Sequence, residues 1–71
     1  MSEYTVILEQ GESSWGAWVP DLPGCVAIGD SRGEVEQLIR EAIDGHVESL
    51  RENGEPVPAP ASAATAVEVS A

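Results

Sequence analysis

Two different periods of apolar positions divide this 71-residue chain. Up to residue 28 the apolar residues come in short runs rich in β-branched and aromatic side chains. From residue 31 to about residue 50 they recur every three or four positions. Residues 4–9 (YTVILE), 15–19 (WGAWV) and 25–28 (CVAI) therefore read as three strands. The polar segment 10–14 (QGESS) is of hairpin length, and Pro20, lacking the N–H that a ladder needs, stops the second strand. Connections this short favour a meander of antiparallel strands. Alternation along the second strand puts Trp15, Ala17 and Val19 on one face, Gly16 and Trp18 on the other. With the first set under a helix, Trp18 lies on the opposite face, together with Ile7; a one-residue register slip would invert the assignment, and either way one tryptophan faces away from the helix.

The helix has a clear start. Asp30 or Ser31 can cap its first turn, and Ser31 followed by Glu34 fits the capping box. Val35, Leu38, Ile39, Ala42, Ile43, Val47 and Leu50 share one face, with charged residues opposite. Glu36 and Arg40 stand four apart and form a candidate ion pair. Asn53-Gly54 supplies the stop. Residues 55–60 (EPVPAP) form an extended, polyproline-like spacer. Beyond it, residues 65–69 (TAVEV) alternate, as an edge strand or equally a frayed tail. The stiffness of the spacer favours the strand. The expected fold is α+β: a three-stranded antiparallel meander, one long helix packed on it, and this candidate fourth edge strand. Residues 1–60 form the domain and 61–71 the tail or edge strand.

Charge narrows the function. Thirteen acidic residues against three arginines and no lysine give a net charge of −10. Such a surface repels phosphate backbones, so direct nucleic-acid binding by this chain alone is not expected, whereas a basic partner would be steered onto it. No stretch approaches the roughly 18 apolar residues of a membrane span. The N-terminal Met1-Ser2-Glu3 lacks the features of a signal peptide. With a lone cysteine, this places the protein in the cytoplasm.

Candidate catalytic chemistry is sparse. Cys25 and His46 are the only residues of their types, too few for an internal disulfide or a structural zinc site. As a nucleophile–base pair they compete with a plainer reading: a small buried residue at a strand start and a half-buried ring on the helix. No acidic pair falls on adjacent strands. No catalytic, cofactor-binding or metal-ligating residue is assigned, and the chain reads as a non-enzyme. A core this small, without disulfide or metal, points to self-association as a homodimer or larger oligomer.

The segments Pro20-Asp21-Leu22-Pro23-Gly24-Cys25, Gly29-Asp30-Ser31, Arg40-Glu41-Ala42-Ile43 and Gly54-Glu55-Pro56-Val57-Pro58, in this order and spacing, resemble the HicB-like antitoxins of type II toxin–antitoxin systems. The resemblance covers residues 4–60. It implies a β-β-β-α-β, partial RNase H-like domain that neutralises HicA, a small basic RNA-cleaving toxin, by occluding its active site. Many members carry a further C-terminal DNA-binding domain. Only eleven residues follow Pro60, so a short form without that domain is expected. The alternative is a stand-alone oligomeric interaction module of the same fold with no toxin partner. Trp18 on the free sheet face, Asp21 in the turn, and Glu34, Glu41 and Glu48 on the exposed helix side are the candidate partner-binding residues.

Overall fold

The computed structural model describes residues 3–70; Met1 and Ser2 of the leader reading and Ala71 of the tail reading lie outside the described residues. Strands β1 (Ile7–Gln10), β2 (Trp15–Trp18) and β3 (Val26–Gly29) precede a single helix, α1 (Arg32–Glu52). The sheet has the order β1-β2-β3, antiparallel throughout. The expected meander and long helix are present. The ladder is shorter than the apolar runs: β1 begins at Ile7 and β3 at Val26. Residues 4–6 and Cys25 serve other contacts.

Register fixes the two faces. Leu8, Ala17 and Ala27 lie side by side across the three strands, and Ile7, Trp18 and Val26 form the neighbouring row. Because side chains alternate along a strand, the first row faces the helix and the second faces away. The core consists of Ala17, Val19, Leu22, Cys25, Val35 and Ile39, with Tyr4, Val6, Leu8, Trp15, Ala27, Ala42, Ile43 and Val47 packed around it. Leu38, on the apolar stripe by spacing, sits at the margin of this packing and stays exposed.

Two local devices aim the helix. Ser31 caps it, its Oγ accepting from the Glu34 N–H at 3.1 Å, while Glu34 Oε2 accepts from the Asp30 N–H at 3.3 Å. The box thus closes one residue upstream of the cap. Gly29 ends β3 where the first helical turn folds back over it. A Cβ there would stand 3.0 Å from Val35 N and 3.3 Å from its Cα. A side chain there would press the backbone of Val35 away by a few tenths of an ångström, so glycine favours the close approach in which Val35 is completely buried.

The Pro20–Cys25 turn contributes to the core itself. Leu22 N–H donates to Val19 O (3.1 Å), Cys25 N–H to Leu22 O (3.0 Å), and Val19 N–H to Cys25 O (3.2 Å). This closed loop, with Gly24 at φ 84°, turns Leu22 inward, where it is 1% exposed. Helix α1 lies mainly over β3 and β2 and leaves the inner side of β1 only partly covered. Its 21 residues run about 31 Å, against about 13 Å for a four-residue strand, so its C-terminal half overhangs the sheet. Asn53 and Gly54 (φ 69°) end it.

The chain then returns across the turn end of the sheet. Tyr4 Oη donates to Pro58 O, and Thr5 Oγ1 to Ser62 O at 2.7 Å. The expected edge strand over residues 65–69 is not formed among the described residues: 63–70 are exposed and belong to no strand or helix. The tail is held as far as Ser62, and no neighbouring edge receives it beyond that point.

Leu22→Ala should destabilise the domain by about 3 kcal/mol. A core of this size supplies only about 3–5 kcal/mol. Circular dichroism should therefore find the variant largely unfolded, whereas Leu22→Met, which conserves volume, should melt close to the parent.

Candidate functional site

Trp18 and the residues around it form an apolar surface on the side of the sheet away from the helix. Ile7 and Val26 are its cross-strand partners, and Ile28 lies two positions along β3 from Val26. Trp18 is 41% exposed and Ile28 73%. Gly16, paired with Ile28, leaves a shallow floor beside the indole. The indole Nε1–H donates to Glu9 Oε1 at 3.2 Å. A large aromatic held by one polar contact on an open face has the form of an interface anchor.

The acidic candidates on the helix form one line. Glu34, Glu41 and Glu48 are spaced by seven, with Leu38, Gly45 and Glu52 between and after them at helical spacing. Glu34 is engaged internally by the capping box. Glu41 and Glu48 are exposed. The flank towards β1 is different in charge. There Arg32 Nε donates to Glu36 Oε1 at 3.1 Å, so the pair expected between Glu36 and Arg40 is replaced by one a turn earlier. Among the described residues Arg40 has no carboxylate partner.

Asp21 has a role that its place in a turn did not suggest. A turn aspartate ordinarily accepts from backbone N–H groups close by. Here Oδ2 accepts from the Ala61 and Ser62 N–H groups, both at 2.9 Å, and Oδ1 from Ser62 Oγ at 2.8 Å. These partners lie 40 and 41 residues further along the chain. The hydrogen bonds favour the ionised carboxylate and hold Asp21 below the usual aspartate range, the Ser62 backbone N–H having the largest effect. Sequence separation hid this contact. Its one local trace is the stiff proline spacer that brings residues 61–62 back to the sheet.

A cavity lies between β1 and α1. It is about 810 Å³ and is lined by Tyr4, Val6, Leu8, Ile39 and Ile43, with Glu3, Glu36 and Arg40 at its rim. It exists because the helix covers β3 and β2 in preference to β1. Cys25 is buried, and burial pushes its thiol up, opposite to the shift of an activated nucleophile. His46 is half-buried on the helix. Among the described residues no three His, Cys, Asp or Glu side chains gather as a metal site would require, and no helix is long and apolar enough to cross a membrane.

The chain is thus a small antiparallel sheet backed by one helix, with Trp18 on the face of the sheet away from the helix and the Glu41–Glu48 line on the helix itself. Residues 4–70 match the family described as HicB_like antitoxin of bacterial toxin-antitoxin system, and the chain belongs to that family. It is 43% identical over 56 residues to a UPF0150 protein of Synechocystis, covering 78% of this chain and 71% of the relative. It is 39% identical over 57 residues to a UPF0150 protein of Thermoplasma acidophilum, covering 79% and 83%. An uncharacterised 14.9 kDa protein of Haemophilus phage HP1 is 34% identical over 55 residues; the match takes in 78% of this chain but only 41% of that protein.

Because the Asp21 pKa is lowered on folding, its contribution is complete above the ordinary aspartate pKa and is lost as pH falls through the lower folded value. The Ala61 and Ser62 amides should thus stay protected from hydrogen exchange at neutral pH and lose protection only below about pH 4. Asp21→Ala should raise their exchange at neutral pH by about tenfold and leave the β2 and β3 amides unchanged.

Proposed function

We propose that this chain neutralises a small basic RNA-cleaving toxin of the HicA type by binding over its active site. Membership of the HicB-like antitoxin family across residues 4–70 carries this reading. The charge supports it. A ribonuclease must present Lys and Arg to bind its substrate, and a partner of net charge −10 competes for those groups. The line of Glu41 and Glu48, with Glu34 and Asp21 adding to the field, supplies the complementary potential. Trp18 and its apolar neighbours supply area that leaves water on contact. In this division of labour the carboxylates set the encounter rate and orientation, and the indole face sets the residence time. Carboxylates replacing phosphates on a basic surface need no catalysis by the antitoxin.

The test is co-expression with the product of an adjacent gene encoding a small basic protein. The toxin alone should arrest growth, and this chain should restore it; failure to restore growth overturns the proposal. The Glu41→Lys/Glu48→Lys double variant should weaken the complex by about tenfold or more at low ionic strength, mainly through the association rate, with the difference shrinking as salt is added. Trp18→Ala should instead quicken dissociation.

A further inference from the structure

Gly16 stands in the central strand of the sheet, and no contact among the described residues requires a glycine there. Its φ lies outside the left-handed region, where Gly24 and Gly54 are found. Beyond its chain neighbours, a Cβ built on it would meet a single atom within 4 Å, the Ala27 carbonyl oxygen at 4.0 Å. Gly29, crowded by Val35, is the opposite case. A glycine inside a strand weakens it, and one with no internal reason marks a place where something from outside comes close. The missing side chain leaves a niche on the face away from the helix. In register, Gly16 is flanked by Glu9 on β1 and Ile28 on β3, and Trp18 follows two positions along β2. Glu9 and Ile28 are two strand spacings apart, about 9.6 Å. All three walls are exposed. The indole reaches along the sheet to Glu9, its Nε1–H on Oε1. Glu9 is the one carboxylate among the strand residues of this face. It forms no ion pair among the described residues, and its Oε2 is left for an incoming donor.

We infer that this niche receives an arginine side chain of a basic protein partner, with the guanidinium on the Trp18 indole and Glu9 Oε2 and the methylene stem over Gly16 and Ile28. Each wall selects that occupant. The indole face attracts a cation, and a planar, weakly hydrated guanidinium stacks on it better than a compact ammonium does. The carboxylate that accepts the indole N–H adds negative charge at the ring edge and so strengthens the attraction. Its second oxygen can accept a charge-assisted hydrogen bond from the same guanidinium. Ile28 offers apolar cover to an unbranched stem whose charged end lies elsewhere. A β carbon at position 16 would lift that stem off the sheet, which gives the glycine its external reason. The net charge of −10 draws basic partners towards this chain. That the arginine belongs to the toxin rests on the function proposed above, because a ribonuclease that holds RNA through arginine has one to offer. The chemistry of the niche does not depend on that identity.

Two peptides, tri-arginine amide and tri-lysine amide, test this on the full chain at about 0.15 M salt, where long-range attraction between exposed charges is screened. The reporter is the Trp18 Nε1–H resonance in NMR, told from that of Trp15 by Trp18→Phe. Tri-arginine at millimolar concentration should shift it, and tri-lysine should need about tenfold more to do the same. Glu9→Gln should raise the tri-arginine dissociation constant by about tenfold. Glu12→Gln, on the hairpin outside the niche, should change it by less than about twofold. Gly16→Leu, which fills the niche, should abolish the shift, and Gly16→Ala should melt no lower than the parent. Equal responses to the two peptides, tri-arginine binding indifferent to Glu9→Gln, or a Gly16→Ala variant that melts lower each overturn the inference. In the complex with the basic toxin, Glu9→Gln should quicken dissociation by about tenfold. A toxin complex indifferent to Glu9→Gln overturns the inference and leaves the toxin reading standing. A niche that takes tri-arginine in a chain that does not bind the toxin supports the inference and overturns that reading alone.

Discussion

Val35 and Ile39 pressing on Ala17, Val19, Leu22 and Cys25 is the contact on which the rest of this small domain depends. Six buried apolar residues form the fully enclosed core, and each remaining feature is arranged to let them meet. Gly29 gives way so that Val35 can approach. Ser31 and Glu34 set the helix direction at its first turn. The loop from Pro20 to Cys25 folds Leu22 beneath the helix. Placing α1 over β3 and β2 completes one part of the sheet and leaves β1 with a half-covered inner side. That asymmetry separates three surfaces of different character. The carboxylate line runs on one flank of the helix, Arg40 and the cavity lie on the other, and the indole face is on the far side of the sheet.

The clamp formed by Asp21 is the second constraint. It joins the turn after β2 to the segment after the helix, so the ends of the fold are tied at one place. A carboxylate accepting two backbone N–H groups and a hydroxyl is well satisfied without burial, which suits a domain with little interior. Its consequence is directional. The chain beyond Ser62 departs from a defined point beside Thr5.

Much of this was legible in the residues. Strand alternation separated Trp15, Ala17 and Val19 from Gly16 and Trp18, because side-chain direction has period two, but with aromatics on both phases it left to the packing which row would meet the helix; the core took Ala17 and Val19 and left Trp18 and Ile7 on the other face. The Ser31–Glu34 cap and the Asn53–Gly54 stop located the helix to within a residue or so, since both are local chemistry. The segments that carry the family resemblance also have local physical reasons, Gly29 for close approach and Gly24 for positive φ. Other features depend on contacts between distant parts of the chain. Leu22 looked like one more turn residue until the loop closed. Asp21 found its partners 40 residues away. Glu36 had an arginine four residues to either side, and nothing in the spacing chose Arg32 over Arg40. The alternation at residues 65–69 suggested an edge strand, but none forms there, because a period of two in so short a segment does not supply the neighbouring ladder that a strand needs.

Amide hydrogen exchange of the full chain, compared with that of Val35→Ala, tests most directly whether the packing of Val35 and Ile39 on Ala17, Val19, Leu22 and Cys25 holds the domain together. In the parent the amides of β2, β3 and α1 should exchange slowly and at similar rates, as one cooperative unit. Val35→Ala should quicken all of them alike. Quickening confined to the first turns of α1, with β2 and β3 unchanged, would contradict the dependence of the sheet on this contact.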